Sequence, residues 1–181
     1  MTQSRQTLTT PRLIIRAFRP DDADDLFAYL SNPQTYRFEP GAPVTYEQVV
    51  TMAVDMADSP DFWAIEVAAS GRQIGQLYLK QVEPLELMTC ELGYILNPHH
   101  HRQGYGSEAA AALVEHCFAL QGMHRIFAQC NPGNTASWRL LERIGFRREA
   151  LLLQNVFFRR DAAGAPIWTD TYVYARLASE R

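Results

Sequence analysis

Hydrophobic positions along this chain recur with two different periods, and the switches between them mark the elements. Arg12-Leu13-Ile14-Ile15-Arg16-Ala17-Phe18 is short, β-branched at its centre and stopped by Pro20, which predicts a first strand. Pro20-Asp21-Asp22 opens a helix with acids in its first turn, where they suit the helix dipole. Leu26, Phe27 and Leu30 supply its apolar face, and Asn32-Pro33 ends it. After a loop from Pro40 to Pro43, Thr45 caps a second helix with Val49, Met52, Ala53 and Met56 at helical spacing. Phe62 to Ala69 and Gln73 to Val82 read as a hairpin around Ser70-Gly71, and a further strand runs from Met88 to Leu96, stopped by Asn97-Pro98.

The strongest helix pattern spans Ser107 to Gln121. Its inward stripe is Ala110, Leu113, Val114, Cys117 and Phe118, at i, i+3, i+4, i+7 and i+8. Gly122 closes it, and Arg125 to Cys130 is the next strand. Asn131-Pro132-Gly133 turns the chain into a helix from Asn134 to Ile144, followed by Gly145 where a C-cap glycine belongs. Phe146 to Phe158 and Ile167 to Leu177 are two strands around the turn from Asp161 to Pro166. With no repeats or linkers, the order predicts one mixed α/β (α+β) sheet domain over residues 1–181.

Composition changes this picture little. The 181 residues are 47% hydrophobic and 20% charged, an ordinary globular balance that excludes disorder, collagen and coiled coil. A net charge of −3 speaks against a nucleic-acid partner. Cys90, Cys117 and Cys130 form an odd set without framework spacing, as expected of reduced thiols. Met1 to Thr10 is polar and lacks a signal-peptide core, and no apolar run is long enough to span a membrane. A cytoplasmic protein without a membrane partner is expected.

The first chemical signal is Arg102-Gln103-Gly104-Tyr105-Gly106-Ser107-Glu108-Ala109, between a strand and a well-patterned helix. Two glycines there let the backbone approach a ligand and turn its N–H groups outward at a helix N-terminus, an anion site suited to pyrophosphate. The plain alternative is a tight connection that holds nothing. A Walker loop is excluded, because Ser107-Glu108 follows Gly106 where a Lys is needed. Gly104, Gly106 and Ala109 do fit a dinucleotide G-x-G-x-x-A, but no Asp or Glu occurs between Glu115 and Glu142 to hold a ribose. A nicotinamide oxidoreductase is therefore disfavoured.

The same loop, preceded by Cys90-Glu91-Leu92-Gly93-Tyr94-Ile95-Leu96, resembles the acetyl-CoA motif of the GCN5-related N-acetyltransferase (GNAT) superfamily. Asn134-Thr135-Ala136-Ser137 with Leu141-Glu142-Arg143-Ile144-Gly145-Phe146 is similar to its second CoA-contacting segment, in the form typical of the RimJ/RimL-like branch. Thr10 to Arg16 and Asp170 to Tyr174 resemble that branch too, so the likeness covers almost the whole chain in order. It implies a central, mostly antiparallel sheet flanked by helices and splayed where acetyl-CoA enters.

By that resemblance, the backbone of Gln103, Gly104, Tyr105, Gly106 and Ser107 cradles the CoA pyrophosphate, with Arg102 and Gln103 adding side-chain contacts. The family often carries Arg or Gln and then Gly where this chain has His101 and Arg102, so those contacts depart from its pattern. Backbone N–H groups of Tyr94, Ile95 and Leu96 would polarise the thioester carbonyl. Asn134 would hold the pantetheine arm, although Asn is also a favoured N-cap. Ser137 is the implied general acid, against the alternative of a back-bond to its own helix. Leu141 stands where many members carry an acidic tyrosine, which leaves the role to Ser137.

Glu91 is the candidate base. It shares a strand face with Thr89, Gly93 and Ile95, and Gly93 leaves room for a ligand. An α-amine with pKa near 8 is about 10% neutral at pH 7, whereas a lysine amine is neutral about once in two or three thousand molecules. An α-amino acceptor would thus be served by Glu91 acting through water. Tyr36, Arg37, Phe38, Glu39 and Trp63 lie where the branch builds its acceptor pocket. His99-His100-His101 lacks the acid or Cys spacing of a metal site, so no metal is expected. The expected reaction is direct acetyl transfer from acetyl-CoA to a primary amine, foremost a protein N-terminus of the ribosomal-protein type. A small amine or antibiotic acceptor, and a CoA-binding sensor without catalysis, are the alternatives, in a monomer or homodimer.

Overall fold

The computed structural model describes residues 6–181; the first five residues of the polar Met1 to Thr10 stretch lie outside the described residues. The elements in chain order are β1 (Leu8–Thr9), β2 (Leu13–Arg16), α1 (Ala23–Leu30), α2 (Tyr46–Asp58), β3 (Phe62–Val67), β4 (Gln73–Gln81), β5 (Thr89–Leu96), α3 (Tyr105–Leu120), β6 (Arg125–Cys130), α4 (Thr135–Arg143), β7 (Arg147–Arg160) and β8 (Pro166–Leu177). The eight strands make one sheet in the order β1-β2-β3-β4-β5-β6-β8-β7. All neighbours run antiparallel except β5 and β6. The mixed, mostly antiparallel sheet with flanking helices is as expected.

Alternating side chains feed two cores, one on each face of the sheet. Trp63, Ile65, Leu77 and Leu92 pack under the α3 stripe, whose Ala110, Leu113, Val114 and Cys117 are fully buried. Ala64 and the edge of Ile95 meet Leu26, Leu30, Val49 and Ala53 of α1 and α2. Thr45 and Gln48 close a reciprocal cap at the start of α2, satisfying two N–H groups a helix leaves unbonded. Among the described residues no helix is long and apolar enough to cross a membrane.

Two boundaries differ from the sequence expectation for identifiable reasons. The helix foreseen at Pro20 starts as one 3-10 turn, Pro20–Asp22, because the Asp22 carboxylate turns back to Arg16 and to the Arg19 N–H. Helix α3 begins at Tyr105, two residues before the expected Ser107, since Gly104 supplies the left-handed residue before its first turn (φ 83°).

The feature that positions the site is where the sheet opens. Strand β5 pairs with β4 along its length, from Cys90 opposite Gln81 to Leu96 opposite Gly75. Against β6 it pairs only at Thr89, Cys90 and Glu91. β6 meanwhile stays paired with β8 through Cys130. From Leu92 onward, every second backbone N–H and C=O of β5 therefore faces a gap instead of a neighbour.

Candidate active site

The gap between β5 and β6 is a cavity of about 350 Å³. Tyr94 of β5, Cys130 of β6, Asn134 and Ser137 of α4, Asp170 of β8 and Glu39 from the α1–α2 connection line it. Among the described residues no lysine, arginine or histidine lines it. Asn134 is the N-cap of α4, its Oδ1 accepting from the Ser137 N–H at 3.2 Å, which leaves its amide nitrogen to offer a ligand.

The Ser137 hydroxyl does not bond back to its own helix. It lies 2.8 Å from the Tyr94 hydroxyl, which also reaches the Ser137 carbonyl at 3.1 Å. Burial pushes the Tyr94 phenol well above its ordinary range, opposed by the Ser137 bond, and this keeps it a proton-bearing neighbour at neutral pH. The Cys130 thiol is likewise pushed up to about 11, chiefly by burial. The cavity floor thus holds a tyrosine, a serine and a thiol, all carrying their protons. Alternation along β5 puts Tyr94 with Cys90 and Leu92, but its contact with Ser137 across 43 residues has no sequence signature.

One face of α4 leads from this cavity to the glycine loop. Ser137, Leu140 and Arg143 stand at i, i+3 and i+6, a span of about 9 Å along a helix axis. A Cβ on Gly106 would come within 3.0 Å of the Leu140 side chain, so glycine is what lets α3 and α4 approach here. Arg143 donates to the Ser107 hydroxyl at 2.9 Å and brings a cation to the α3 N-terminus. Sequence reasoning did not single out Arg143; its only signal is its place one face along from Ser137.

The loop itself is braced from below. Glu108 accepts from the Thr10 hydroxyl at 2.6 Å and from the Arg12 N–H at 3.0 Å and side chain at 2.7 Å. Burial opposes its charge, but these bonds outweigh it and hold the carboxyl below the usual range. Arg12 also donates to the Gln103 carbonyl at 2.9 Å and stacks 4.6 Å from the Tyr105 ring centre. Arg102 and Gly104 both have left-handed backbone, at φ 60° and 83°. Arg102 and Gln103 are exposed, and the Gln103 side chain is turned to the His99 carbonyl. A cradle of backbone donors at a helix N-terminus, with Arg143 beside it, fits a phosphorylated ligand.

The remaining residues divide. Leu96 packs against the α3 core, and its carbonyl is 2.9 Å from His101 Nε2. Ile95 faces the α1–α2 core. Glu91 shares the sheet face of Gly93 and lies opposite Lys80 and Phe127, one step outside the cavity lining. Glu39 is in that lining, half-buried, and burial raises its carboxyl above the usual range. Among the described residues nothing donates to it.

Residues 12–147 match the family model of the acetyltransferase (GNAT) domain. The chain is 30% identical over 174 residues to an uncharacterized N-acetyltransferase of Bacillus subtilis, YnaD, covering 96% of this chain and 98% of that one. It is 34% identical over 104 residues to the ribosomal-protein-serine acetyltransferase of Escherichia coli, covering 58% and 54%. A crystal structure of a GNAT-family acetyltransferase from Bacillus anthracis superposes with a TM-score of 0.87 at 27% identity, over 97% of this chain and 100% of that one.

Proposed function

The chain belongs to the GNAT acetyltransferase family and is an acyltransferase, and from that premise we propose that it acetylates a protein N-terminal α-amine in the gap between β5 and β6. The observation that carries this is the continuous α4 face, which sets the Ser137 hydroxyl against Tyr94 at the cavity and the Arg143 side chain on the Ser107 hydroxyl at the glycine loop. When bound, acetyl-CoA supplies the acetyl group as a thioester. The first-turn N–H groups around Gly104, Gly106 and Ser107 hold its pyrophosphate, with Arg143 adding charge. Asn134 offers its amide to the pantetheine arm. The unpaired β5 backbone beyond Glu91 aims N–H groups at the thioester oxygen.

Ser137 gives its proton to the departing sulfur and is reloaded through Tyr94, which takes its own proton back from solvent. Glu91, just outside the cavity, draws a proton from the acceptor nitrogen through water. The E. coli relative's name, together with the RimJ/RimL-like opening and closing segments, favours a protein N-terminus of the ribosomal-protein type. A cavity of about 350 Å³ also admits a small amine whole, and that is the second reading.

Free thiol release from acetyl-CoA, measured against N-terminal peptides and small amines, tests the proposal. Stimulation by peptides is the expected result. Stimulation by small amines alone would replace the acceptor with the second reading. A thermal shift with acetyl-CoA but no stimulated release from any acceptor would mean a CoA-binding sensor and overturn catalysis.

A further inference from the structure

We propose that Glu39 receives the acceptor as its ammonium ion and takes the first of the two protons that acetylation must remove from nitrogen. The inference deepens the reading of the β5–β6 gap as an amine acetylation site, and rests on it.

The position of Glu39 is built: it follows the 3-10 turn Pro33–Arg37 in the connection between α1 and α2. The Thr35 hydroxyl donates to the Tyr29 carbonyl at 2.6 Å and the Tyr36 hydroxyl to the Leu30 carbonyl at 2.9 Å, tying the segment to the end of α1. Arg159 of β7 donates to the Tyr36 carbonyl from the other side. Phe38 lies against Gly133, where a Cβ would come within 3.3 Å of its ring. Glu39 is thereby held over the same cavity that Ser137 and Tyr94 line from α4 and β5.

The charges around it select a cation. The titratable groups facing Glu39 are Tyr94 on β5, Cys130 on β6 and Asp170 on β8. Two of these are neutral at pH 7, and Asp170 is engaged by the Gln154 N–H at 2.8 Å. Two arginines of the adjoining segments make other contacts, Arg37 on the Phe38 ring and Arg159 on the Tyr36 carbonyl. A carboxylate half out of water, with no donor among the described residues, is stabilised by an arriving ammonium ion. Once the pair is desolvated, moving one proton from nitrogen to oxygen discharges both groups. The upward push of burial on the Glu39 carboxyl favours that transfer.

The protons balance. R–NH3⁺ passes one proton to the Glu39 carboxylate and becomes R–NH2. Its lone pair forms the C–N bond as the C–S bond breaks, and the second proton leaves through water on the Glu91 side. The sulfur takes the proton of Ser137, the Ser137–Tyr94 pair takes one proton back from solvent, and Glu39 returns its own to solvent. The sum is ammonium plus thioester giving amide, thiol and one proton.

The division of labour predicts a dependence on the acceptor's own basicity. Glu39→Gln, Glu39→Asp and the parent are compared with two primary amines: a peptide α-amine, mostly ammonium at the assay pH, and a weakly basic amine that is already neutral. Glu39→Gln is expected to lose about a hundredfold in kcat/KM with the peptide and little with the neutral amine, with Glu39→Asp recovering part of the loss. Unchanged acetyl-CoA binding serves as the folding control. Equal losses with both amines, or no loss with either, would overturn the role of Glu39. If the parent turns over neither amine, the acetylation reading itself fails and this inference falls with it.

Discussion

Two buried acidic regions of this molecule are handled in opposite ways. Beneath the start of α1, Arg16 donates to both oxygens of Asp22 at 2.7 and 2.8 Å and to Glu66 at 2.6 Å, while the Arg19 N–H adds a further bond to Asp22. Burial works against the Arg16 charge, but its two carboxylates outweigh it and raise its pKa. At the mouth of the β5–β6 gap, burial acts on Glu39 with no compensating donor among the described residues. A closed ion network fixes the path of the chain. An open carboxylate in a cavity is completed only by something that arrives from outside.

The contrast breaks hardest at Arg16. Arg16→Leu leaves Asp22, 6% exposed, with its cation removed, and is expected to cost about 3–5 kcal/mol in urea unfolding. Thiol release per folded molecule should stay as it was. A stable variant that loses activity would instead place the network in the site.

Gly104→Ala tests the cradle at a smaller scale. Its φ of 83° costs a residue with a Cβ about 1–2 kcal/mol, and the Cβ would lie 3.2 Å from the Arg12 guanidinium. The variant is expected to bind acetyl-CoA more weakly by calorimetry with the amine KM unchanged. Undiminished binding would detach the cradle from the ligand.

The smallest effect is expected at Glu39. Burial raises the folded-state pKa of Glu39, so ionising it subtracts stability above the ordinary carboxylate range and nothing below that range. Glu39→Gln should therefore melt higher than the parent at neutral pH, with the difference closing as pH falls through the carboxylate range. A variant that melts lower at neutral pH would mean that Glu39 has a partner after all. Stability would rise where activity falls, the reverse of Arg16→Leu.

Elements and contacts were legible in the sequence to different degrees. The α3 stripe from Ala110 to Phe118, the Thr45 cap and the Asn134 cap rest on local spacing, and local spacing is visible in one chain. The glycine loop was readable because Gly104 answers a local backbone demand, whereas the reason for Gly106, the Leu140 side chain on α4, is a tertiary contact. The Tyr94–Ser137 contact, Arg143 beside Ser107 and the placing of Glu39 arise only when distant segments meet. Arg159 reaches the Tyr36 carbonyl across 123 residues, and no periodicity records such a bond. Glu91 was found by alternation along β5, which assigns a face but not the point where β6 departs.

If amine acetylation takes place in the gap where β5 leaves β6, Ser137→Ala strikes at its proton donor. Amine-stimulated thiol release and acetyl-CoA affinity are measured together for parent and variant. The variant is expected to show a kcat about a hundredfold lower with acetyl-CoA affinity unchanged. An unchanged kcat would contradict it, because the hydroxyl 2.8 Å from Tyr94 would then have no part in the transfer.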